Sequence, residues 1–140
     1  MRVIGNWPAG LCRTAALAAA VCFAPAAHPA SAQSMSPMRG EVKSFNDQFA
    51  LRVFPGNPYR HRLRVEVRVY DEAFNEVRAD VVPRETMIGA DDRRSVLVMV
   101  PFDGRRERKV RVCAESIPFN GQSTRLKTQV CGRFLAQRVE

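Results

Sequence analysis

The chain has 140 residues, 46% of them hydrophobic, and a formal net charge of +8 from 22 Lys and Arg against 14 Asp and Glu. That length suits one domain of ordinary size with a single core. The leading apolar run, Ala15 to Ala24, is about ten residues, which excludes a bilayer span there because a span needs roughly 20.

Residues 1–32 read as a secretory signal peptide. Arg2 and Arg13 give the run a positive flank. Ala30-Ser31-Ala32 supplies the small-x-small pattern of a signal peptidase site, with Gln33 as the new N-terminus. Cys12 and Cys22 leave with it, and the residues before them, Leu11 and Val21, are too large for a lipoprotein attachment site. Removing two arginines lowers the charge to about +6. The basic excess has a compositional reading, arginine-favouring codons, and a functional one, an anionic partner such as envelope lipid, polysaccharide or a protein carboxylate. The expected location is the periplasm or the exterior.

Residues 33–140 are expected to form one all-β domain. Gln33 to Met38, with two serines and Pro37, reads as a flexible lead-in. Gly40 to Phe45 is a first strand. Gln48 to Phe54 is a second, with Phe49, Leu51 and Val53 on one face. Pro55-Gly56-Asn57-Pro58 is a turn. His61 to Tyr70 shows the clearest period of two: Leu63, Val65, Val67 and Val69 alternate with Arg62, Arg64, Glu66 and Arg68, so one face is buried and one is wet. After a turn near Phe74-Asn75, Val77 to Val82 is a strand ended by Pro83. Gly89 to Arg94 is a polar turn. Ser95 to Phe102 is nearly all apolar and reads as a buried central strand. Arg108 to Ile117 and Arg125 to Leu135 close the chain. About seven short strands at this spacing indicate an antiparallel β-sandwich of immunoglobulin type. Val65, Val67, Val98, Val100, Val112 and Phe134 are the predicted shared core.

Cys113 and Cys131 remain after cleavage, and two cysteines in an exported domain read as one disulfide. Val110, Val112 and Ala114 point one way and Arg111, Cys113 and Glu115 the other; Cys131 falls in phase with Lys127, Gln129 and Arg133. Both sulfurs therefore sit on the more polar face, which fits a bridge between adjacent strands of one sheet. Pairing 113 with 131 centres the hairpin on Gln122 and sets Val110 opposite Phe134, Val112 opposite Gly132 and Ala114 opposite Val130, which keeps the apolar set in register.

Nothing in the pattern calls for catalysis, a cofactor or a metal. His61 is the one histidine after cleavage and has neither a nucleophile nor an acid argued beside it. Asp91-Asp92 lies on a polar turn. Arg105-Arg106-Glu107-Arg108-Lys109 is the densest basic run, yet it lacks the interleaved aromatics of a nucleic-acid surface and reads first as a solvated turn.

Several segments together resemble the N-terminal domain of periplasmic pilus-assembly chaperones, as a single-domain relative in which the family's second domain is absent. They are Ser36-Pro37-Met38-Arg39, Leu63 to Tyr70, Pro83 with the Gly89 turn and Arg94 to Val98, Arg111 to Pro118, and Gly132-Arg133-Phe134-Leu135. A branch of that family also bridges its last two strands of this domain. The resemblance implies that Arg39 on the first strand and Arg133 on the last anchor a carboxylate. Arg133 stands where the family carries Lys. Leu126, Thr128 and Val130 would form the face lent to a partner's incomplete sheet. Arg111, opposite Arg133, would add to the positive field.

The reading is an exported, non-enzymatic protein that binds an envelope protein, or assists its folding, through a strand edge and basic anchors. Its rival is a structural or adaptor protein docking on an anionic envelope surface. The two differ in whether the edge of the last strand is open or covered by the N-terminal segment.

Overall fold

The computed structural model describes residues 33–119 and 127–140. The signal peptide at 1–32, the hairpin centre at Gln122 and the donor-face position Leu126 lie outside the described residues. Nine strands follow in chain order: β1 Ser34–Ser36, β2 Arg39–Ser44, β3 Gln48–Gly56, β4 Leu63–Tyr70, β5 Asp80–Val82, β6 Glu85–Ile88, β7 Val96–Pro101, β8 Glu107–Ser116 and β9 Gln129–Arg138. They form a four-stranded sheet in the order β1-β3-β7-β5 and a five-stranded sheet in the order β2-β9-β8-β4-β6.

The expected sandwich is present, and its strand count has a local cause. Two strands are each interrupted by a proline, Pro37 between β1 and β2 and Pro83 between β5 and β6. Proline donates nothing to a ladder. At each break the chain leaves one sheet and joins the other. All pairings between named strands are antiparallel except β2 with β9, which run parallel from Arg39↔Arg133 to Ser44↔Arg138.

Each expected core residue is buried: Val65, Val67, Val98, Val100 and Val112 have no exposed surface, and Phe134 is 4% exposed. Phe49 and Phe102 fill one end, their ring centroids 5.1 Å apart. Each of these side chains contributes about 1.5–3 kcal/mol through burial. Gly132 is required by close approach. A Cβ there would lie 2.9 Å from the Phe134 ring and 3.0 Å from Met35 Cε.

Four expectations need correction. The lead-in is not flexible: Ser34–Ser36 pair with Gly56, Pro55 and Phe54, and Met35 is buried in the core. One apolar side chain between two serines is too short a pattern to show a period. Pro55 and Gly56 therefore belong to β3, and the turn begins at Asn57. Its buried amide donates to the carbonyls of His61 and Gly89 at 2.7 and 2.8 Å. The strand expected from Val77 is regular only over Asp80–Val82. Finally, β7 is central but not buried on both faces. Val96, Val98 and Val100 point inward, whereas Leu97 and Met99 point outward and are half-buried.

Candidate functional site

The last strand, β9, lies between β2 and β8. Its register with β8 is the expected one: Val110↔Phe134, Arg111↔Arg133, Val112↔Gly132, Cys113↔Cys131 and Ala114↔Val130. Cys113 and Cys131 are bonded, with Cα atoms 4.0 Å apart, on the closer, non-hydrogen-bonded kind of antiparallel pair. The bridge sits on the outer face, where Cys113 is covered completely.

Two residues along, the same register builds a row. Arg39 on β2 faces Arg133 on β9, Arg133 faces Arg111 on β8, and Arg111 faces Tyr70 on β4. All four side chains share the outer face of the five-stranded sheet. Arg39 and Arg133 are exposed and Arg111 is half-buried. None of the three arginines forms an ion pair among the described residues. They open into a shallow depression of about 490 Å³, with Glu41, Glu72, Lys109 and Leu135 around it.

Arg111 is positioned from above by a loop. Its guanidinium lies 4.6 Å from the centroid of Phe74, a cation–π distance, while its Nε is buried without a hydrogen-bond partner. Phe74 adopts φ 62° in a turn organised by Asp71. The Asp71 carboxylate accepts from the backbone N–H groups of Ala73 and Asn75 at 2.9 Å and from Asn75 Nδ2 at 3.0 Å. The Asn75 side chain, followed by its backbone N–H, holds that carboxyl below the usual range. At the end of the row Tyr70 donates its hydroxyl to Glu115 at 2.5 Å. Burial first, and then this bond to a carboxylate, push the Tyr70 hydroxyl up to about 12.

The edge beside the row is half open. β2 covers β9 from Arg133 to Arg138, and the Arg133 N–H donates to the Met38 carbonyl at 2.8 Å. Among the described residues no strand pairs with Gln129 to Gly132 on that side, because Ser34–Ser36, before Pro37, belong to the other sheet. The N-terminal segment instead lies over the inner face there. Gln33 is buried, and its Oε1 accepts from the Thr128 hydroxyl at 2.6 Å. Ser116 Oγ accepts from the Thr128 N–H at 2.8 Å. Val130 is partly buried and packs against the core.

Thus the structure gathers Arg39, Arg133 and Arg111 and places the disulfide beside them. It sets Val130 on the opposite face. Arg39 was reachable in the sequence only through the family resemblance, since its partner lies far along the chain. The Phe74 cap over Arg111 was not anticipated, and its single local signal was the turn at Phe74-Asn75. The basic run at 105–109 is largely neutralised: Arg106 meets Glu140 at 2.9 Å, Arg108 meets Asp103 at 2.6 Å, and Lys109 approaches Glu72 at 3.9 Å. His61 stacks on Tyr59 with centroids 5.3 Å apart. Among the described residues no group of three or more His, Cys, Asp or Glu side chains could hold a metal ion. No helix there is long and apolar enough to cross a membrane.

No family model and no curated protein matches the sequence. Solved structures do match in fold. The Salmonella enterica SafA pilin in complex with the SafB chaperone superimposes with a TM-score of 0.62 at 15% identity, over 76% of this chain and 54% of that one. The E. coli chaperone DraB gives 0.63 at 15% identity, over 76% and 55%. A PapD-like domain of human CEP192 gives 0.56 at 11% identity, over 77% and 85%. The chain thus spans about half the length of the two bacterial chains it matches. The sandwich described here has the PapD-like immunoglobulin fold of periplasmic pilus chaperones.

Proposed function

We propose that this chain is exported on removal of residues 1–32 and that residues 33–140 act in the periplasm as a non-enzymatic binding domain of chaperone type. The uncovered edge of β9 from Gln129 to Gly132 receives an extended segment of an envelope protein by strand addition. The Arg39–Arg133–Arg111 row captures an anionic group of that segment, its C-terminal carboxylate above all. In this reading Leu126 and Val130 contribute the apolar contacts beside the added strand.

The observation that supports this most is the row itself. Three guanidinium groups in adjacent register repel one another, and no carboxylate among the described residues pairs with them. An arriving carboxylate offsets that repulsion and matches the planar fork of each arginine. The uncovered half-edge lies directly beyond Arg133, so an added strand would bring its end to the row. The rival, a structural or adaptor protein docking on an anionic envelope surface, is favoured by the cover of β2 over Arg133 to Arg138 but finds less support from the densest basic run, which is already paired with acidic side chains.

The test compares extended peptides that end in a free carboxylate with the same peptides amidated, on wild type and on Arg39→Ala with Arg133→Ala. Free-carboxylate peptides should bind wild type better by about tenfold, and the double variant should lose that preference while keeping its fold. Equal binding of both peptide forms, or equal binding by both proteins, refutes the reading.

A further inference from the structure

The second sheet carries a surface that the binding edge does not use. A sandwich sheet with one solvated face normally alternates apolar-in with polar-out. The outer face of β3, β7 and β5 departs from this. Its rows follow from the register. Arg52 lies beside Leu97 and Leu97 beside Val82 in one row; Ala50 lies beside Met99 and Met99 beside Asp80 in the next. Val82 is 59% exposed, and Phe54, farther along β3, is 38% exposed. Leu97 and Met99 are half-buried at the centre and Ala50 is exposed. Single exposed apolar groups are ordinary, but a contiguous patch across three strands marks an interaction surface.

Two charges sit on this patch, Arg52 on β3 and Asp80 on β5. They lie diagonally across the apolar centre, on the strands that flank β7 and one row apart. Both are exposed. Neither forms an ion pair among the described residues. One positive and one negative group at opposite corners make the patch complementary to itself. A two-fold axis in the plane of contact and directed along the strands lays β3 of one copy over β5 of the other. Arg52 then stands over Val82 of the second copy. Asp80 of that copy is two residues farther along the strand, about 7 Å, within the reach of an arginine. An axis across the strands would instead bring like charges together, so the charges select the first arrangement.

We propose that this face is a two-fold interface between copies of the chain, centred on Leu97 and Met99, with each Arg52 paired to Asp80 of the second copy. The contact is isologous, so each pairing occurs twice. It uses the sheet opposite the arginine row, which leaves the proposed binding edge of both copies free. The inference therefore stands apart from the reading of that edge.

The test is sedimentation-equilibrium measurement of mass against concentration for the purified protein and five variants. Wild type should dimerise with rising concentration. Met99→Asp should weaken the dimer by about tenfold or more, and Val82→Lys, at an exposed site that leaves folding undisturbed, should weaken it too. Arg52→Asp and Asp80→Arg should each weaken it several-fold, and the two together should restore it. A wild type that stays monomeric at every concentration overturns the proposal. So does a dimer indifferent to Val82→Lys, or a double charge reversal that recovers nothing.

Discussion

Opening the Cys113–Cys131 bridge is the perturbation whose size the structure fixes best. The two cysteines are 18 positions apart. In the chain-entropy account, closing a loop of that size stabilises the folded state by about 3 kcal/mol. For a domain of roughly this size each kcal/mol moves Tm by about 4–8 °C, so reduction should lower Tm by about 12 °C or somewhat more. The domain should nonetheless stay folded. The ladder between β8 and β9 runs from Glu107↔Gln137 to Glu115↔Gln129, and the inward phase of Val110, Val112 and Phe134 specifies that register without the sulfurs. Thermal unfolding followed by circular dichroism, with and without reductant, measures the shift, and Cys113→Ala with Cys131→Ala repeats it free of reductant. Cys113 is fully buried, so the alanine protein should melt slightly below the reduced one. A Tm unchanged on reduction, with loss of the bond verified by thiol titration, would refute the entropic reasoning. Outright unfolding at room temperature would refute the claim that the register is independently specified.

Val67 has no exposed surface and faces Ala114 across the ladder; Val67→Asp places an unpaired carboxylate in the core and should cost about 4 kcal/mol or more, read as loss of folded protein in the soluble fraction. Tyr70 gives a pH signature. Its folded pKa, about 12, lies above the ordinary tyrosine value of 10.0, so the stability it contributes is fully present below pH 10 and is lost as pH rises toward 12. Phenolate absorbance should show a late titration step that Tyr70→Phe abolishes; a late step that survives that substitution would contradict the assignment to Tyr70.

Much of this fold was legible because four of its nine strands, β3, β4, β8 and β9, carry a two-residue period over eight residues or more. The alternation in 63–70, and the apolar phase shared by 110–114 with 130–134, set faces and pairing together, so the disulfide and the opposition of Arg111 and Arg133 could be read directly. The misses share a cause. Ser34–Ser36 and Glu85–Ile88 are short, and they join their sheets through contacts far along the chain. A three-residue segment with one apolar side chain carries no measurable period, yet Met35 is as buried as a core valine. At Leu97 and Met99 the opposite error arose: an apolar run suggested burial on both faces, whereas its outward half stays half-buried on the surface. In the candidate site, the Arg39–Arg133 pair depends on a parallel register between the first and last strands. No local pattern encodes that register, and only the family resemblance pointed to it.

The parallel run of β2 beside β9 also determines how this domain carries load. Tension between the N-terminal side of β2 and the C-terminal end of β9 pulls the two strands past each other along their length. Six register pairs, Arg39↔Arg133 to Ser44↔Arg138, then bear force together in shear. The antiparallel contact of β1 with β3 has three pairs, half as many to bear a load. Tension that reaches β1 from its N-terminal side therefore meets the weaker contact first and the longer β2–β9 clamp second. That clamp begins at Arg39 and Arg133, so a load carried between β2 and β9 passes through the arginine row.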